Sequence, residues 1–223
     1  MNRLECQGIV IYKEDYSEAD ARIVVFTDSV GIMNLYIKGI RKTKKRDIAA
    51  VDILSYSKFS LIRKNDMYNL SDFELINDFT EIKKDLEKLS LVFYVLDVVK
   101  KIFLEEEPRK AEFNLLKNVL NYIETENKKE NQLLVIAFFL FKIIKSEGIY
   151  FSDFKEFFIG KKESDFIKET AILKKIMKNE VKKIEVEKLE EKTIFNLILL
   201  LEDYINRQLE VSLNLRKILI DYL

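Results

Sequence analysis

Hydrophobic positions along this chain change period near residue 80. Before that point the apolar residues come in short runs rich in β-branched side chains. Gly8–Tyr12 reads Gly-Ile-Val-Ile-Tyr and Arg22–Thr27 reads Arg-Ile-Val-Val-Phe-Thr, and both predict strands. Ile32–Ile37 alternates, with Ile32, Asn34 and Tyr36 on one face and Met33, Leu35 and Ile37 on the other. Val51–Ile62 predicts a longer fourth strand and Met67–Phe73 a fifth. Polar turn signals separate the runs at 15–20, at 28–31, after Ile37, and at Lys64-Asn65-Asp66.

From Thr80 onward the spacing becomes helical. Ile82, Leu86, Leu89, Phe93 and Leu96 fall on one helix face, and Val92, Val95, Val99 and Ile102 widen it. Pro108, the single proline, ends or restarts the helix. Phe113, Leu116, Leu120 and Ile123 predict a second helix. Leu133–Ile144 is apolar nearly all round, as in the central helix of a bundle. Ile194, Leu197, Ile198, Leu201, Tyr204 and Ile205 predict another amphipathic helix, and Leu213–Leu223 a short terminal one. The stretch from Lys161 to Lys192 carries 18 charged residues out of 32 and reads as a solvated helical face or a connector.

Five short strands in about 70 residues suit a small closed barrel. The OB-fold is the five-stranded barrel used for oligonucleotides, and an SH3-like barrel fits the same periodicity. The expected class is therefore α+β: a five-stranded barrel of the OB or SH3-like type over residues 1–79, followed by an all-α helical domain over 80–223.

Composition narrows the chemistry. The 38 cations balance 38 anions, so any polyanion binding must come from a local patch. One cysteine, Cys6, closes no internal disulfide. With no histidine, Ser-His-Asp and Cys-His catalysis are excluded, and a zinc site is improbable. The N-terminal segment lacks a small-residue cleavage site. The longest apolar run, Leu133–Phe141, is nine residues, whereas a membrane span needs about 20. These features predict a cytoplasmic protein with no membrane partner and no cofactor.

One local patch stands out. Lys38–Arg46 reads Lys-Gly-Ile-Arg-Lys-Thr-Lys-Lys-Arg, with six cations in nine residues directly after the third strand. Lys38, Arg41, Lys42, Lys44, Lys45 and Arg46 are candidate phosphate contacts, driven by release of condensed counterions. Arg63 and Lys64, in the next loop, are weaker candidates. The bland alternative is a solvated hairpin loop. Tyr36, Tyr56, Phe59 and Tyr68 lie on predicted strands, as base-stacking rings or as core; Phe59, between Ser and Leu, reads as core. Glu14, Asp15, Glu18 and Asp20 cluster in one turn, which suits turn formation and capping better than a magnesium site for a nuclease. Arg216 and Lys217, with Arg207 nearby, suit a helix C-terminal half or a secondary DNA or acidic-peptide contact.

In order and spacing, several N-terminal segments resemble the RecO family of bacterial recombination mediators. They are Gly8-Ile9-Val10-Ile11, Tyr16-Ser17-Glu18-Ala19-Asp20, Val25-Phe26-Thr27, Gly31, and Lys38-Gly39-Ile40-Arg41-Lys42 with Lys44 and Arg46; Leu70–Leu75 resembles the closing strand. The remaining two thirds matches in character only. The resemblance implies that the barrel over 1–79 is a five-stranded OB-fold and that 80–223 is a helical domain, in a non-enzymatic DNA-binding recombination mediator of the bacterial cytoplasm, at the nucleoid. It would bind single- and double-stranded DNA, anneal strands, and load RecA onto DNA coated by single-strand binding protein. Implied partners are RecR and the C-terminal tail of single-strand binding protein. The alternative is a barrel that serves as a protein-interaction module without direct DNA binding.

Two departures from the family pattern matter. Many members carry four cysteines as a zinc module in the second domain, whereas about 150–183 here holds neither Cys nor His. No metal is expected, the module being degenerate or replaced by packing of Phe151, Phe154 and Phe158. The family also often has Ser where this chain has Lys45, which adds charge, and a Gln-Pro-like pair where it has Asp52-Ile53, which blurs the start of the fourth strand.

Overall fold

The computed structural model describes residues 3–16, 18–40, 48–64, 67–151, 153–179, 184 and 189–218. The chain forms two compact units, Met1–Leu120 and Asn121–Leu223. The change from strand to helix comes earlier, between Asn77 and Thr80.

The first unit holds a five-stranded antiparallel sheet in the order β3-β2-β1-β4-β5. Its strands are β1 (Arg3–Asp15), β2 (Ala21–Thr27), β3 (Gly31–Ile37), β4 (Tyr56–Lys64) and β5 (Met67–Asn77). β1 is long because it serves two partners. Its first half pairs with β4 from Arg3↔Ile62 to Ile9↔Tyr56, and its second half with β2 from Gly8↔Thr27 to Asp15↔Ala21. A bulge between Val10 and Tyr12 bends the strand between these two tasks. β3 and β5, at opposite ends of the order, also come into contact, so the sheet curls toward closure. This is the OB arrangement expected from the strand pattern. The interior is filled by Cys6, Val10, Ile23, Val25, Met33, Leu35, Phe59 and Leu61, with Ile40 and Val51 at its margin.

β2 reads as a continuous apolar run because both of its faces are covered. Ala21, Ile23 and Val25 point into the barrel. Phe26 points outward, and its ring meets Phe103 at 5.4 Å and Phe113 at 5.8 Å. Those partners come from the segment after α2 (Leu86–Ile102) and from α3 (Lys110–Thr125).

Two expectations are corrected. The strand over Val51–Ile62 begins only at Tyr56, because Ile48–Val51 forms a 3-10 turn. After it Leu54 takes a left-handed φ of 68°, and the Ser55 hydroxyl donates to the carbonyls of Ala50 (3.0 Å) and Asp52 (2.7 Å), closing a turn. The helix face from Ile82 to Leu96 is broken. α1 (Thr80–Lys84) stops and Asp85 caps α2, accepting from the N–H groups of Glu87 (2.9 Å) and Lys88 (3.1 Å). Leu86 is therefore a first-turn residue exposed to solvent, while Val92, Val95, Val99 and Ile102 are buried as expected. Arg207 lies in the last turn of α7 (Glu191–Leu209), as the helix C-terminus reading expects; its Nη2 donates to the Phe157 carbonyl at 3.1 Å and lies 3.5 Å from Asp203.

In the second unit α4 (Lys129–Ser146) packs against α7 (Glu191–Leu209), and α6 (Ile167–Met177) contacts both. α4 buries Leu133, Leu134, Ile136, Phe139, Leu140 and Ile143, as its all-round apolarity predicts. Where a zinc module was implied by resemblance, rings fill the space. Phe151 meets Phe157 at 4.9 Å, Tyr204 at 5.3 Å, Tyr150 at 5.6 Å and Phe154 at 5.7 Å. These rings pack against one another and offer no thiolate or imidazole. α5 (Phe154–Phe157) lies within this cluster and α8 (Leu215–Ile218) ends the described chain. Leu219–Leu223, the rest of the expected terminal helix, lie outside the described residues.

Candidate nucleic-acid interface

The outward face of the β2–β3 ladder changes character along its length. At one end Phe26 pairs with Ile32, both buried; next come Val24 and Asn34; then Arg22 and Tyr36. Beyond Tyr36, Lys38 is exposed at the start of the basic segment. The apolar end is covered and the polar end opens to solvent, where the cations begin.

The described residues on either side of 41–47 belong to the barrel. Ile40, within the basic segment, and Val51, after it, are both part of its core. Gly39 has a left-handed φ of 68°, which turns the chain out of β3. Its N–H donates to Oδ1 of Asp20 at 2.8 Å, and the Tyr36 hydroxyl donates to Oδ2 of the same carboxylate at 2.6 Å. One carboxylate thus ties the end of β3 to the turn before β2. The hydrogen bond to Asp20, chiefly, pushes the Tyr36 phenol up to about 12, so it stays neutral at ordinary pH.

Of the candidate phosphate contacts, Lys38 is placed at this opening. Arg41, Lys42, Lys44, Lys45 and Arg46 lie outside the described residues, as does the side chain of Lys64. Arg63 is exposed at the far end of β4, its guanidinium 5.7 Å from the Tyr68 ring centre.

The four strand aromatics part company. Phe59 is fully buried in the barrel. Tyr56 hydrogen-bonds Gln7 and meets Phe113 at 6.3 Å. Tyr68 is half-buried against the core under Arg63. Tyr36 is exposed and meets Tyr16 edge-on, with ring centres 5.1 Å apart.

The acidic turn is structural where it is seen. Asp20 holds Gly39 and Tyr36, and Glu14 accepts from Tyr12 (3.1 Å) and Arg22 (3.1 Å). Among the described residues no three metal-ligating side chains converge. Arg22 also reaches Asn34 Oδ1 at 3.0 Å, and Asn34 donates to Glu105 at 2.6 Å, so Arg22 is committed within the face. Sequence reasoning assigned Asp20 to turn formation and gave Tyr16 no role. The only signal for either was their place in the Tyr16–Asp20 segment of the resemblance.

No helix among the described residues is long and apolar enough to cross a membrane. Family models described as Recombination protein O N terminal and Recombination protein O C terminal match residues 1–79 and 83–170. The DNA repair protein RecO of Acetivibrio thermocellus is 30% identical over 148 residues, 66% of this chain and 58% of that protein. Its counterpart in Alkaliphilus metalliredigens is 31% identical over 146 residues, again 66% of this chain and 58% of the relative. The DNA repair protein RecO of Syntrophus aciditrophicus is 28% identical over 144 residues, 64% and 54% of the two chains. The matched part thus spans less than two thirds of these relatives' length.

Proposed function

This chain belongs to the recombination protein O family, and on that premise we propose that it is a non-enzymatic, DNA-binding mediator of recombinational repair. The observation that carries the reading is the mounting of the basic segment. Six cations in nine residues begin at Lys38, where the chain leaves a compact barrel, and Ile40, within that run, and Val51, after it, both belong to the barrel core, in a chain with no net charge. We assign Lys38, Arg41, Lys42, Lys44, Lys45 and Arg46 as contacts to a phosphate backbone, with Arg63 and Lys64 as lesser contacts. Residues 1–79 form the nucleic-acid-binding domain. The helical domain from residue 80 docks partners, namely RecR and the tail of single-strand binding protein. Holding strands by their phosphates brings complements together for annealing and clears single-strand binding protein so that RecA loads.

Fluorescence anisotropy with a labelled single-stranded oligonucleotide tests this. Three to six phosphate contacts give a slope of log K against log salt of roughly −2 to −4. Replacing the six cations with Ser should abolish that slope and most of the affinity. Binding that ignores salt and survives the substitutions supports the protein-interaction module instead. A pull-down with single-strand binding protein, intact and lacking its tail, tests the partner assignment separately.

A further inference from the structure

We infer that Tyr16 and Tyr36 form a base-stacking platform beside the basic segment, which makes the barrel prefer unpaired nucleic-acid strands over duplex. The inference deepens the DNA-binding reading and rests on it. Of the aromatic side chains on or beside the strands, these two are the open pair: Tyr16 is 66% exposed and Tyr36 40%. Their planes cross at 89°, so the rings form an aromatic corner. A flat base stacks on one wall and meets the other with its edge, an arrangement favoured by the ring quadrupoles.

The corner is pre-organised. Asp20 fixes the Tyr36 hydroxyl, and the Tyr16 N–H donates to the Asp20 carbonyl at 3.1 Å. The Tyr36 ring and the Tyr16 backbone therefore have little freedom left to lose when a base arrives. The same Asp20 carboxylate holds the Gly39 N–H, so the corner and the root of the cationic segment share one fixed point. Lys38, two residues from Tyr36, is exposed in the turn that follows β3. A strand held by a phosphate at Lys38 passes beside the Tyr36 ring. The phenol of Tyr36 is uncharged at neutral pH and does not repel phosphate. Duplex bases offer no free face for stacking, so the corner adds affinity for single strands only.

The test uses the full chain, the Y16L/Y36L variant and Y16L alone, against three labelled probes of equal length: oligo(dT), an abasic deoxyribose-phosphate strand and a duplex. The expected result is about tenfold weaker binding of oligo(dT) by Y16L/Y36L, unchanged binding of the abasic strand and duplex, and an unchanged salt slope. Y16L alone gives a smaller loss in the same pattern, and keeps the test open if the double variant does not fold. The chain has ten tyrosines and no tryptophan, so oligo(dT) should also quench tyrosine fluorescence, less so in the variants. Equal losses on all three probes, or no loss on oligo(dT), overturn the platform while leaving phosphate binding intact. A wild-type chain that binds none of the probes overturns the DNA reading, and the platform with it.

Discussion

Asp20 and Gly39, 19 residues apart, are joined by a 2.8 Å hydrogen bond from the backbone N–H of Gly39 to Oδ1 of Asp20. The bond spans the mouth of the β2–β3 hairpin and fixes the point from which the cationic segment departs. A carboxylate is suited to the task because it accepts two donors at once and its charge strengthens both bonds. Replacing Asp20 with Ala leaves the part-buried Gly39 N–H without that acceptor. We expect a loss of about 1 kcal/mol in urea unfolding, together with weaker oligonucleotide binding at an unchanged salt slope. D20N retains one acceptor oxygen and should be milder; equal losses in the two variants would mean that charge, not the hydrogen bond, is what matters.

Gly31 is a second point where distant parts of the first unit meet. Its φ is +88°, and an added Cβ would lie 2.0 Å from the Glu107 carbonyl oxygen. The segment carrying Glu107 runs along the β3 edge, where Glu106 N–H donates to the Ile32 carbonyl at 2.9 Å. That contact covers an edge strand that would otherwise be open to pairing. Gly31→Ala combines a strained φ with a backbone clash, so it should destabilise by about 2 kcal/mol or more. Thermal unfolding of the variant measures this, and an unchanged midpoint would show that the 105–107 segment does not hold this position.

Aromatic packing should replace metal in the second unit. Phe151 is 1% exposed and touches four other rings. Phe151→Ala should cost about 3–5 kcal/mol through lost contacts and a residual cavity. Neither zinc nor a chelator should shift the melting temperature of the unaltered chain, because its one cysteine, Cys6, is in the barrel and it has no histidine. A chelator-induced drop in the calorimetric midpoint would contradict this.

At alkaline pH two groups act in the same direction. Burial, aided by the Asp28 charge, pushes the Cys6 thiol up to about 12, and the hydrogen bond to Asp20 does the same for the Tyr36 phenol. Both are neutral when protonated, and both bind their proton more tightly in the folded chain. Their contribution is complete below the unfolded values, 9.0 for the thiol and 10.0 for the phenol, and is lost as pH rises toward 12. The urea midpoint should fall from pH 9 upward, less steeply in a C6A/Y36F variant. At pH 8 a thiol reagent should modify Cys6 only after denaturant is added; rapid labelling of the native chain would show that Cys6 is not enclosed.

Much of the fold was legible from local pattern. The alternation from Met33 to Ile37 placed β3 correctly, because one of its faces meets the core and the other meets solvent over most of its length. The all-round apolarity of 133–144 marked a helix buried on all but one stripe, that of Val135, Phe138 and Lys142, which is half-buried. Errors came where a local bond overrode hydrophobic spacing. The Ser55 hydroxyl turned a predicted strand start into a turn, and Asp85 divided a predicted helix by capping its second part.

The sequence by itself determined the strand-then-helix order, the placement of the cations after β3, and the absence of Cys and His from about 150–183, since each depends only on the residues along the chain. Tertiary structure decided which rings face solvent, why Gly31 admits no side chain, and what Asp20 does. Exposure depends on what covers a face, and the helical segments that bury Phe26 stop short of Tyr36. Asp20 reads as a turn former until folding brings Gly39 and Tyr36 to its carboxylate.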